Sequence, residues 1–354
     1  MRWDNLRLDL PAGADAAPVL QQGPLIARGA VARTFDTPGF RGMTFYEVNA
    51  KSIVSRVPES SRVPFRWTIN PYRGCQHACT YCYARNTHSY IDLDSGHDFD
   101  SKVVVKVNAP QLLRKKLASP GWGGEHIAMG TNVDCYQRAE GRYELMRGII
   151  AALRDAANPF SILTKGTLIL RDTDLLLEAA QVTQVRLNVS AAFVDKALWR
   201  AIEPGAPAPG RRLEACATLT GNGLRCGVLM GPIVPYLSDS PAQLAAAVRQ
   251  VAAAGADHVT PIVLHLRPGA REWFTGWLSE AHPELLPRYA ELYGRGAYAP
   301  RAYQDRIAGQ VRELAERYGV GQARPREARA IPATRSPAAA AAPTGPEHEQ
   351  LTLL

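Results

Sequence analysis

Residues 70–85 of the chain are NPYRGCQHACTYCYAR, the most informative part of the sequence. Cys75, Cys79 and Cys82 follow one another there in the pattern C-x3-C-x2-C. Soft thiolate ligands suit iron–sulfur sites, and each cysteine can bind one iron of a cubane cluster. Because a [4Fe–4S] cluster has four irons, three cysteines leave one iron without a protein ligand. The spacing therefore predicts a [4Fe–4S] cluster with one open iron.

The open iron predicts a second small molecule in the same site. The amino and carboxylate groups of S-adenosylmethionine (SAM) can chelate it, and an electron from the cluster then cleaves the sulfonium to release a 5′-deoxyadenosyl radical. In such a site the cofactors perform the difficult chemistry, whereas the protein supplies orientation and excludes water. We therefore expect an enzyme in which this radical abstracts a hydrogen atom from a substrate.

The alternative is a zinc or iron–sulfur protein used for structure or redox sensing on a similar scaffold. A structural zinc site would need a fourth ligand, such as His77 or Cys135. Zinc sites usually come as two C-x2-C pairs or as paired cysteines and histidines, and neither spacing is present. The cysteine pattern favours the iron–sulfur cluster.

Composition restricts the setting of the protein. Six cysteines in 354 residues are too few for a disulfide scaffold. Cys135, Cys216 and Cys226 lie in or beside apolar stretches, where buried free thiols are usual. Free thiols and an oxygen-sensitive cluster fit a reduced, cytoplasmic environment. No apolar run approaches ~18 residues, so we expect a soluble protein without a membrane partner.

The net charge of +8 is compatible with a nucleic-acid partner or another polyanion and is diagnostic of neither.

Periodicity divides the chain into four parts. Residues 1–60 are broken by prolines and glycines and predict an irregular extension. From 61 to 270, apolar β-branched runs alternate with helical patterns, which predicts βαβ units, a parallel sheet and a partial (β/α)6 TIM-type barrel. Amphipathic helices within 271–320 predict a C-terminal cap, and the Pro/Ala/Arg-rich residues 321–354 predict a disordered tail. The predicted strands are 65–70, 103–107, 126–131, 160–164, 184–189, 225–233 and 259–266.

Polar side chains follow several of these predicted strands. In parallel barrels the carboxyl ends of the strands carry the site. Asp134 follows the third strand and is suited to the cationic amine of SAM. Lys165 ends the fourth strand and Ser190 the fifth, while Arg267 follows the last. We expect Lys165 and Arg267 to face the carboxylate region of SAM and Ser190 to offer a hydrogen bond near its ribose.

Four segments together resemble radical SAM proteins related to spore photoproduct lyase, in particular an actinobacterial branch. They are SRVPFRWTINPYRGCQHACTYCYAR, TNVDCYQ, EPGAPAPGRRLEA and GVLMGPIVP. The resemblance extends over about residues 40–320 and is most specific at the cysteines. It implies a partial (β/α)6 barrel, one [4Fe–4S] cluster and SAM as co-substrate.

The resemblance also implies roles for individual residues. Tyr81 should lie against the adenosyl group, and Tyr81 and Tyr83 match tyrosines that the lyase uses to relay a hydrogen atom. Lys165 and Ser190 match SAM-contacting positions. The hydrogen-donating cysteine of the lyase corresponds to Thr131 here, while Cys135 falls several residues later.

This departure leaves two interpretations of Cys135, a displaced hydrogen donor or an ordinary packing residue. A thymine-dimer lyase is therefore not implied, but activity on a nucleic-acid base or adduct, such as a DNA photolesion, stays open.

Two protein partners are expected. Reduction of the cluster calls for an electron donor such as flavodoxin or ferredoxin. The last five residues, Gln350-Leu351-Thr352-Leu353-Leu354, are apolar after a polar linker and resemble the glutamine-leucine peptides that dock into the bacterial DNA sliding clamp. The alternative is a frayed end or a tail packed on its own domain.

Overall fold

The computed structural model describes residues 29–322 apart from 60 and 62. The chain alternates strands and helices through most of this range. The strands are β1 (Val31–Arg33), β2 (Thr44–Val48), β3 (Val54–Arg56), β4 (Trp67–Ile69), β5 (Tyr72–Arg73), β6 (Lys102–Lys106), β7 (Ile127–Met129), β8 (Phe160–Thr164), β9 (Val185–Ser190), β10 (Cys226–Ile233), β11 (His258–Val263) and β12 (Gly321–Gln322).

The main sheet has eight strands in the order β12-β11-β10-β9-β8-β7-β4-β3. Each neighbouring pair from β4 to β12 is parallel, and only β3 runs antiparallel at its edge. Six strands, β4 and β7 to β11, thus form the partial barrel that the sequence predicts. Over the described residues the sheet is open, with β3 and β12 at its edges.

Helices cover the outside of the sheet because each presents one apolar face to it. In α4, for example, Ile149, Ile150 and Leu153 are fully buried. The α-helices are α1 (His97–Ser101), α2 (Ala109–Leu117), α3 (Glu140–Tyr143), α4 (Leu145–Asp155), α5 (Thr173–Val182), α6 (Lys196–Ile202), α7 (Pro209–Gly221), α8 (Pro241–Ala253), α9 (Ala270–Ala281), α10 (Leu286–Tyr293) and α11 (Arg301–Tyr318). Three 3-10 helices add Tyr83–Ile91, Thr167–Asp172 and Pro283–Leu285.

A second sheet of four strands, in the order β1-β2-β6-β5, departs from the sequence prediction. Residues 1–60 were expected to be irregular, yet β1, β2 and β3 lie within them. The predicted strand at 103–107 belongs to this small sheet as β6 and not to the barrel. Its run Val103, Val104 and Val105 is wholly buried, which resembles a barrel strand in the sequence pattern.

The C-terminal helices pack on two different surfaces of the barrel, its rim and its outer wall. Side chains of α9 and α10 such as Phe274 and Tyr289 join Tyr81 and Val234 in an apolar group over the rim of the barrel. In contrast, α11 packs against α8 and β11 on the outer wall, as a barrel helix does. The predicted cap is therefore formed by α9 and α10, and the first two residues of the predicted tail form β12.

The predicted tail beyond residue 322 lies outside the described residues. Within residues 29–322, 60 and 62 aside, no helix is both long and apolar enough to span a bilayer.

Candidate active site

The loop that carries Cys75, Cys79 and Cys82 leaves the barrel directly after β4 and β5. Two of its backbone hydrogen bonds link the cysteines themselves, from Ala78 N to Cys75 O and from Cys82 N to Cys79 O. A third runs from Cys75 N to Phe99 O at 3.0 Å. The loop is therefore folded on itself, and its first cysteine is fixed to the segment just before β6 of the small sheet.

The backbone before the first cysteine also explains a glycine. Gly74 has φ +84°, and a Cβ built there would lie 2.6 Å from the carbonyl oxygen of Lys102. Only glycine meets both demands, the positive φ and the close approach. Gly74 thus allows the loop to turn against β6.

The three thiols share one buried environment. Burial raises the pKa of each, that of Cys79 to about 12, and the neighbouring thiols raise the pKa of Cys75 further. Two buried polar atoms of the same loop, Gln76 Oε1 and Thr80 Oγ1, have no hydrogen-bond partner among the described residues. Two buried cysteines and the half-buried Cys82, beside unsatisfied polar atoms, fit a [4Fe–4S] cluster.

The metal alternatives differ in geometry. In the part of the chain that the structure describes, no three His, Cys, Asp or Glu side chains converge on one metal-ion position. A zinc ion needs such convergence, whereas the cysteines of a cubane each bind a different iron. His77, one suggested zinc ligand, places Nδ1 3.3 Å from Asp134 Oδ2. Cys135, the other, is fully buried.

Gln137 braces the first cysteine, a role that the sequence did not reveal. Its Nε2 donates to the carbonyl oxygen of Gly74 at 3.0 Å, and its Oε1 accepts from the backbone N–H of Gln76 at 3.1 Å. These are the two residues on either side of Cys75. Because Gln137 is fully buried, this pair of hydrogen bonds holds the peptide units around Cys75 in place.

Asp134 is already surrounded by donors. Oδ1 accepts from Tyr136 N and the Thr164 hydroxyl, and Oδ2 accepts from Lys165 N. Burial opposes its ionisation, but His77 and these hydrogen bonds hold its pKa well below the usual range. Asp134 therefore joins the third and fourth strand ends. Contact between Asp134 and the amine of SAM stays a prediction. It would require the amine to replace one of these hydrogen-bond donors.

Lys165 and Ser190 meet at adjacent strand ends, as their positions in the sequence suggest. Lys165 Nζ donates to Ser190 Oγ at 2.9 Å, and Ser190 Oγ donates to Gly231 O at 2.9 Å. Lys165 Nζ also lies 5.8 Å from the centre of the Tyr81 ring. The lysine, the serine and the tyrosine before the third cysteine thus lie together at neighbouring strand ends.

Glu203 and Arg212 join this group and were not singled out from the sequence. The hydroxyl of Tyr81 donates to Glu203 Oε1, and Arg212 Nη2 donates to Glu203 Oε2. Lys165 Nζ lies 3.8 Å from Glu203 Oε1. Both side chains of the Glu203–Arg212 pair are 1% exposed. We refer to Tyr81, Lys165, Glu203 and Arg212 as the buried quartet.

Electrostatics favour charged groups within the buried quartet. Burial opposes ionisation of Glu203, yet Arg212 and Lys165 hold its pKa below the ordinary value. Burial and the nearby anionic groups raise the pKa of Tyr81, so its phenol keeps its proton. The Glu203 carboxylate thus accepts hydrogen bonds from Arg212 and from the Tyr81 phenol, and it forms an ion pair with Lys165.

A second group of side chains lies at the outer edge of the barrel mouth. The ring centroids of Tyr83 and His265 are 5.6 Å apart, and those of His265 and Tyr298 are 5.5 Å apart with planes 21° from parallel. Arg267 lies over Tyr83 at 5.7 Å and donates to the Tyr298 hydroxyl at 3.0 Å. We call Tyr83, His265, Tyr298 and Arg267 the rim stack.

Arg267, predicted to face the carboxylate of SAM, contacts two members of the rim stack. Within the described residues, no hydrogen bond or ion pair joins Arg267 to Lys165 or Ser190. Its guanidinium instead contacts the half-buried Tyr83 and the exposed Tyr298. Contact between Arg267 and the carboxylate of SAM stays a prediction.

Thr131 matches the position of the hydrogen-donating cysteine of the lyase, and Cys135 is the possible displaced donor. Their surroundings differ. The Thr131 hydroxyl lies 2.7 Å from that of Thr68, at the mouth ends of β7 and β4. Cys135 is fully buried near Tyr72, and burial raises its thiol pKa well above the ordinary value. A donor role for Cys135 stays a prediction, and its burial is what a packing residue would show.

A pocket of about 430 Å³ opens on another side of the cysteine loop, beside His77. Gly166 and Gly205 line it, but none of the three cysteines and no member of the buried quartet does. It is therefore separate from the candidate SAM site.

Comparison with known proteins identifies the family. The Radical SAM superfamily matches residues 69–248, which include the three cysteines, Lys165 and Glu203. An uncharacterized protein of Mycobacterium tuberculosis is 47% identical over 321 residues, 90% of this chain and 93% of that protein. This chain belongs to the radical SAM superfamily, whose members are SAM-dependent enzymes.

More distant relatives agree. An uncharacterized protein of Methanocaldococcus jannaschii is 34% identical over 174 residues, 49% of this chain and 62% of that protein. Among solved structures, a spore photoproduct lyase variant with bound AdoMet and dinucleoside spore photoproduct aligns with a TM-score of 0.58 and 17% identity, over 75% of this chain and 77% of that chain. The likeness establishes the fold that the sequence predicted.

Proposed function

We propose that this enzyme holds a [4Fe–4S] cluster on Cys75, Cys79 and Cys82 and cleaves SAM reductively beside the buried quartet. One observation carries the proposal: the loop with the three thiols adjoins the strand ends that bear Lys165 and Ser190, through Tyr81. When bound, the cluster supplies the electron that converts SAM to methionine and a 5′-deoxyadenosyl radical. Because each cleavage of SAM takes one electron from the cluster, the cluster must be reduced again, and we propose an external donor such as flavodoxin or ferredoxin.

The residues of the chain orient SAM and exclude water. Lys165 is the cation placed to meet the SAM carboxylate, and Ser190 beside it offers a hydroxyl. The ring of Tyr81 offers a flat apolar face for the adenosyl group, since its hydroxyl is turned to Glu203. Glu203 holds Tyr81 by a hydrogen bond and Lys165 by an ion pair, and Arg212 holds Glu203 in turn. This rigidity favours a single bound geometry of SAM.

The two tyrosines beside Cys82 suit different tasks in hydrogen transfer. The Tyr81 hydroxyl donates to Glu203, whereas the Tyr83 hydroxyl makes no hydrogen bond within the described residues. Burial raises the pKa of Tyr83, which keeps its hydrogen in place. We propose Tyr83 as the residue that passes a hydrogen atom, and a nucleic-acid base or adduct as the substrate.

Formation of 5′-deoxyadenosine tests the proposal. Protein reconstituted without oxygen, reduced with dithionite and given SAM should release 5′-deoxyadenosine and methionine. The Cys79→Ala variant should release neither, while Cys216→Ala, with its thiol on α7 in the core, should keep the activity. Equal product from Cys79→Ala and the unaltered protein would refute the site.

The last five residues supply a further proposed partner. Gln350-Leu351-Thr352-Leu353-Leu354 lie outside the described residues, so the proposal rests on the sequence alone. We propose that they dock into the hydrophobic pocket of the DNA sliding clamp, with the glutamine at its edge. A labelled peptide of residues 347–354 should bind clamp with micromolar affinity, about 8 kcal/mol. Equal binding after Gln350→Ala with Leu353→Ala would exclude it.

A further inference from the structure

One arginine beside the cysteine loop is completely buried. Arg85 follows Cys82 by three residues, and its side chain is 0% exposed. Its Nε donates to the backbone carbonyl of Cys79 at 3.1 Å. Arginine keeps its charge in proteins, and a buried charge persists only where partners compensate the loss of water. A permanent cation therefore lies directly against the backbone of one of the three cysteines.

The terminal nitrogens of Arg85 bind a different segment of the chain. Nη2 donates to both carboxylate oxygens of Asp100, at 2.8 and 3.0 Å, and Nη1 donates to the carbonyl of Gly96 at 2.9 Å. The guanidinium carbon lies 5.2 Å from the ring centre of Phe99 and 4.8 Å from that of Trp273. These contacts fix the position of the charge relative to the cysteine loop.

Asp100 is the acidic partner of this cation and lies closer to solvent. Its side chain is 20% exposed, against 0% for Arg85. Burial raises the pKa of Asp100 to about 6, although Arg85 opposes the rise, so the carboxylate is ionised at about pH 8. Because Arg85 binds the Cys79 carbonyl through one nitrogen and Asp100 through another, the positive member of the pair faces the cysteines.

We propose that Arg85 raises the reduction potential of the cluster and that Asp100 limits the rise. This inference rests on the proposed function, since it concerns the cluster assigned there to Cys75, Cys79 and Cys82. Net charge helps to set the potential of an iron–sulfur cluster, and reduction adds one negative charge that a nearby cation stabilises. A higher potential eases reduction by an external donor but weakens the cluster as a reductant of SAM. A cation with a buried acidic partner balances these two demands.

Potentiometric titration of the full-length, reconstituted protein without SAM tests the pair. The reduced cluster is followed by electron paramagnetic resonance at about pH 8. Arg85→Met removes the cation and should make reduction about tenfold less favourable, a fall of about 59 mV for one electron. Asp100→Asn leaves the cation without its partner and should raise the potential by a similar amount. The double variant should lie between the two single variants.

Two further measurements separate charge from a disturbed fold. Arg85→Lys keeps a cation but not the guanidinium geometry, and it should recover more than half of the shift seen in Arg85→Met. Arg301 and Asp305 form a matched pair on the surface of α11, where both side chains are largely exposed. Arg301→Met and Asp305→Asn should leave the potential unchanged.

Shifts of the same sign in Arg85→Met and Asp100→Asn would overturn the inference, because a distorted loop and not charge would then be acting. An unshifted potential in Asp100→Asn with a full complement of iron would also overturn it. That variant decides the question alone if Arg85→Met fails to fold or to hold iron. Absence of a cluster from the unaltered protein would refute the proposed function and the inference with it, whereas full iron with unshifted potentials would refute the inference only.

Discussion

The buried quartet and the rim stack flank the same cysteine loop, but buried ionic contacts hold the first together and stacked aromatic rings the second. The quartet joins a carboxylate, two cations and a phenol, and its Glu203–Arg212 pair is 1% exposed. The rim stack joins aromatic rings and one guanidinium, and its Tyr298 is 42% exposed. Tyr81 and Tyr83 lie on either side of Cys82: Tyr81 belongs to the buried quartet and Tyr83 to the rim stack.

The two groups differ in how strongly each depends on every one of its members. Buried ionic pairs contribute strongly only when complete, because one partner left alone is an uncompensated charge in a dry site. Such a group suits a small molecule that must be held in one geometry. The rim stack carries its charge on the exposed Arg267, where solvent screens each contact, so losing one partner there costs less.

Removal of Arg212 should have the largest effect, because it leaves Glu203 buried without its main counter-charge. We expect Arg212→Ala to lower the free energy of unfolding by about 3–5 kcal/mol, measured by chemical denaturation. The adjacent, exposed Arg211→Ala is the control and should cost less than about 1 kcal/mol. Adding Glu203→Gln to Arg212→Ala should recover most of the loss. Equal stability of the two arginine variants would contradict the quartet's description.

Loss of the Lys165 charge should act on SAM and leave the fold and cluster intact. Lys165→Ala should weaken SAM binding by about 2–5 kcal/mol, the usual cost of removing one partner of a shielded charge pair. Equilibrium dialysis with iron counted in the same sample measures it. Lys196→Ala, on the exposed face of α6, is the matched control. Unchanged affinity in Lys165→Ala would place the residue outside the SAM site.

The two tyrosines provide the most direct contrast between the groups. Tyr81→Phe removes a donor from buried Glu203 and should cost about 1–3 kcal/mol of unfolding free energy. Tyr83→Phe removes a hydroxyl without a described hydrogen bond and should cost less than about 0.5 kcal/mol. Thermal and chemical unfolding of both variants would settle the order. A larger loss for Tyr83→Phe would reverse our assignment of the two residues.

Acid should weaken the rim through His265, with a smaller effect. Its folded pKa of about 4 lies below the ordinary value of 6.5, so the unfolded chain binds the proton more readily. Stability from this residue is complete above pH 6.5 and falls as the pH falls toward 4. Between pH 7.5 and 5.5, His265→Phe should remove about 1 kcal/mol of the pH dependence. An unchanged dependence would show that His265 is accessible to protons in the folded protein.

Local patterns predicted the barrel because each strand and helix carries its own periodicity. The placing of the cysteines in a loop after β4 and of Lys165 at the end of a strand was also predictable, from spacing and from position after a strand. Glu203 was not, because its partner Tyr81 lies 122 residues away and a glutamate before a proline suggests only a loop. Gln137 acts through neutral hydrogen bonds that no composition signal reveals. The small sheet was missed because β6 has the buried valine run of a barrel strand.

The central claim is that three cysteines and no others hold the cluster, and iron counting tests it most directly. Each cysteine is replaced by alanine in turn, and iron and sulfide per chain are measured after anaerobic reconstitution. Cys75→Ala, Cys79→Ala and Cys82→Ala should each lose the full cluster, while Cys135→Ala, Cys216→Ala and Cys226→Ala should retain it. A full complement of iron in Cys79→Ala would contradict the account.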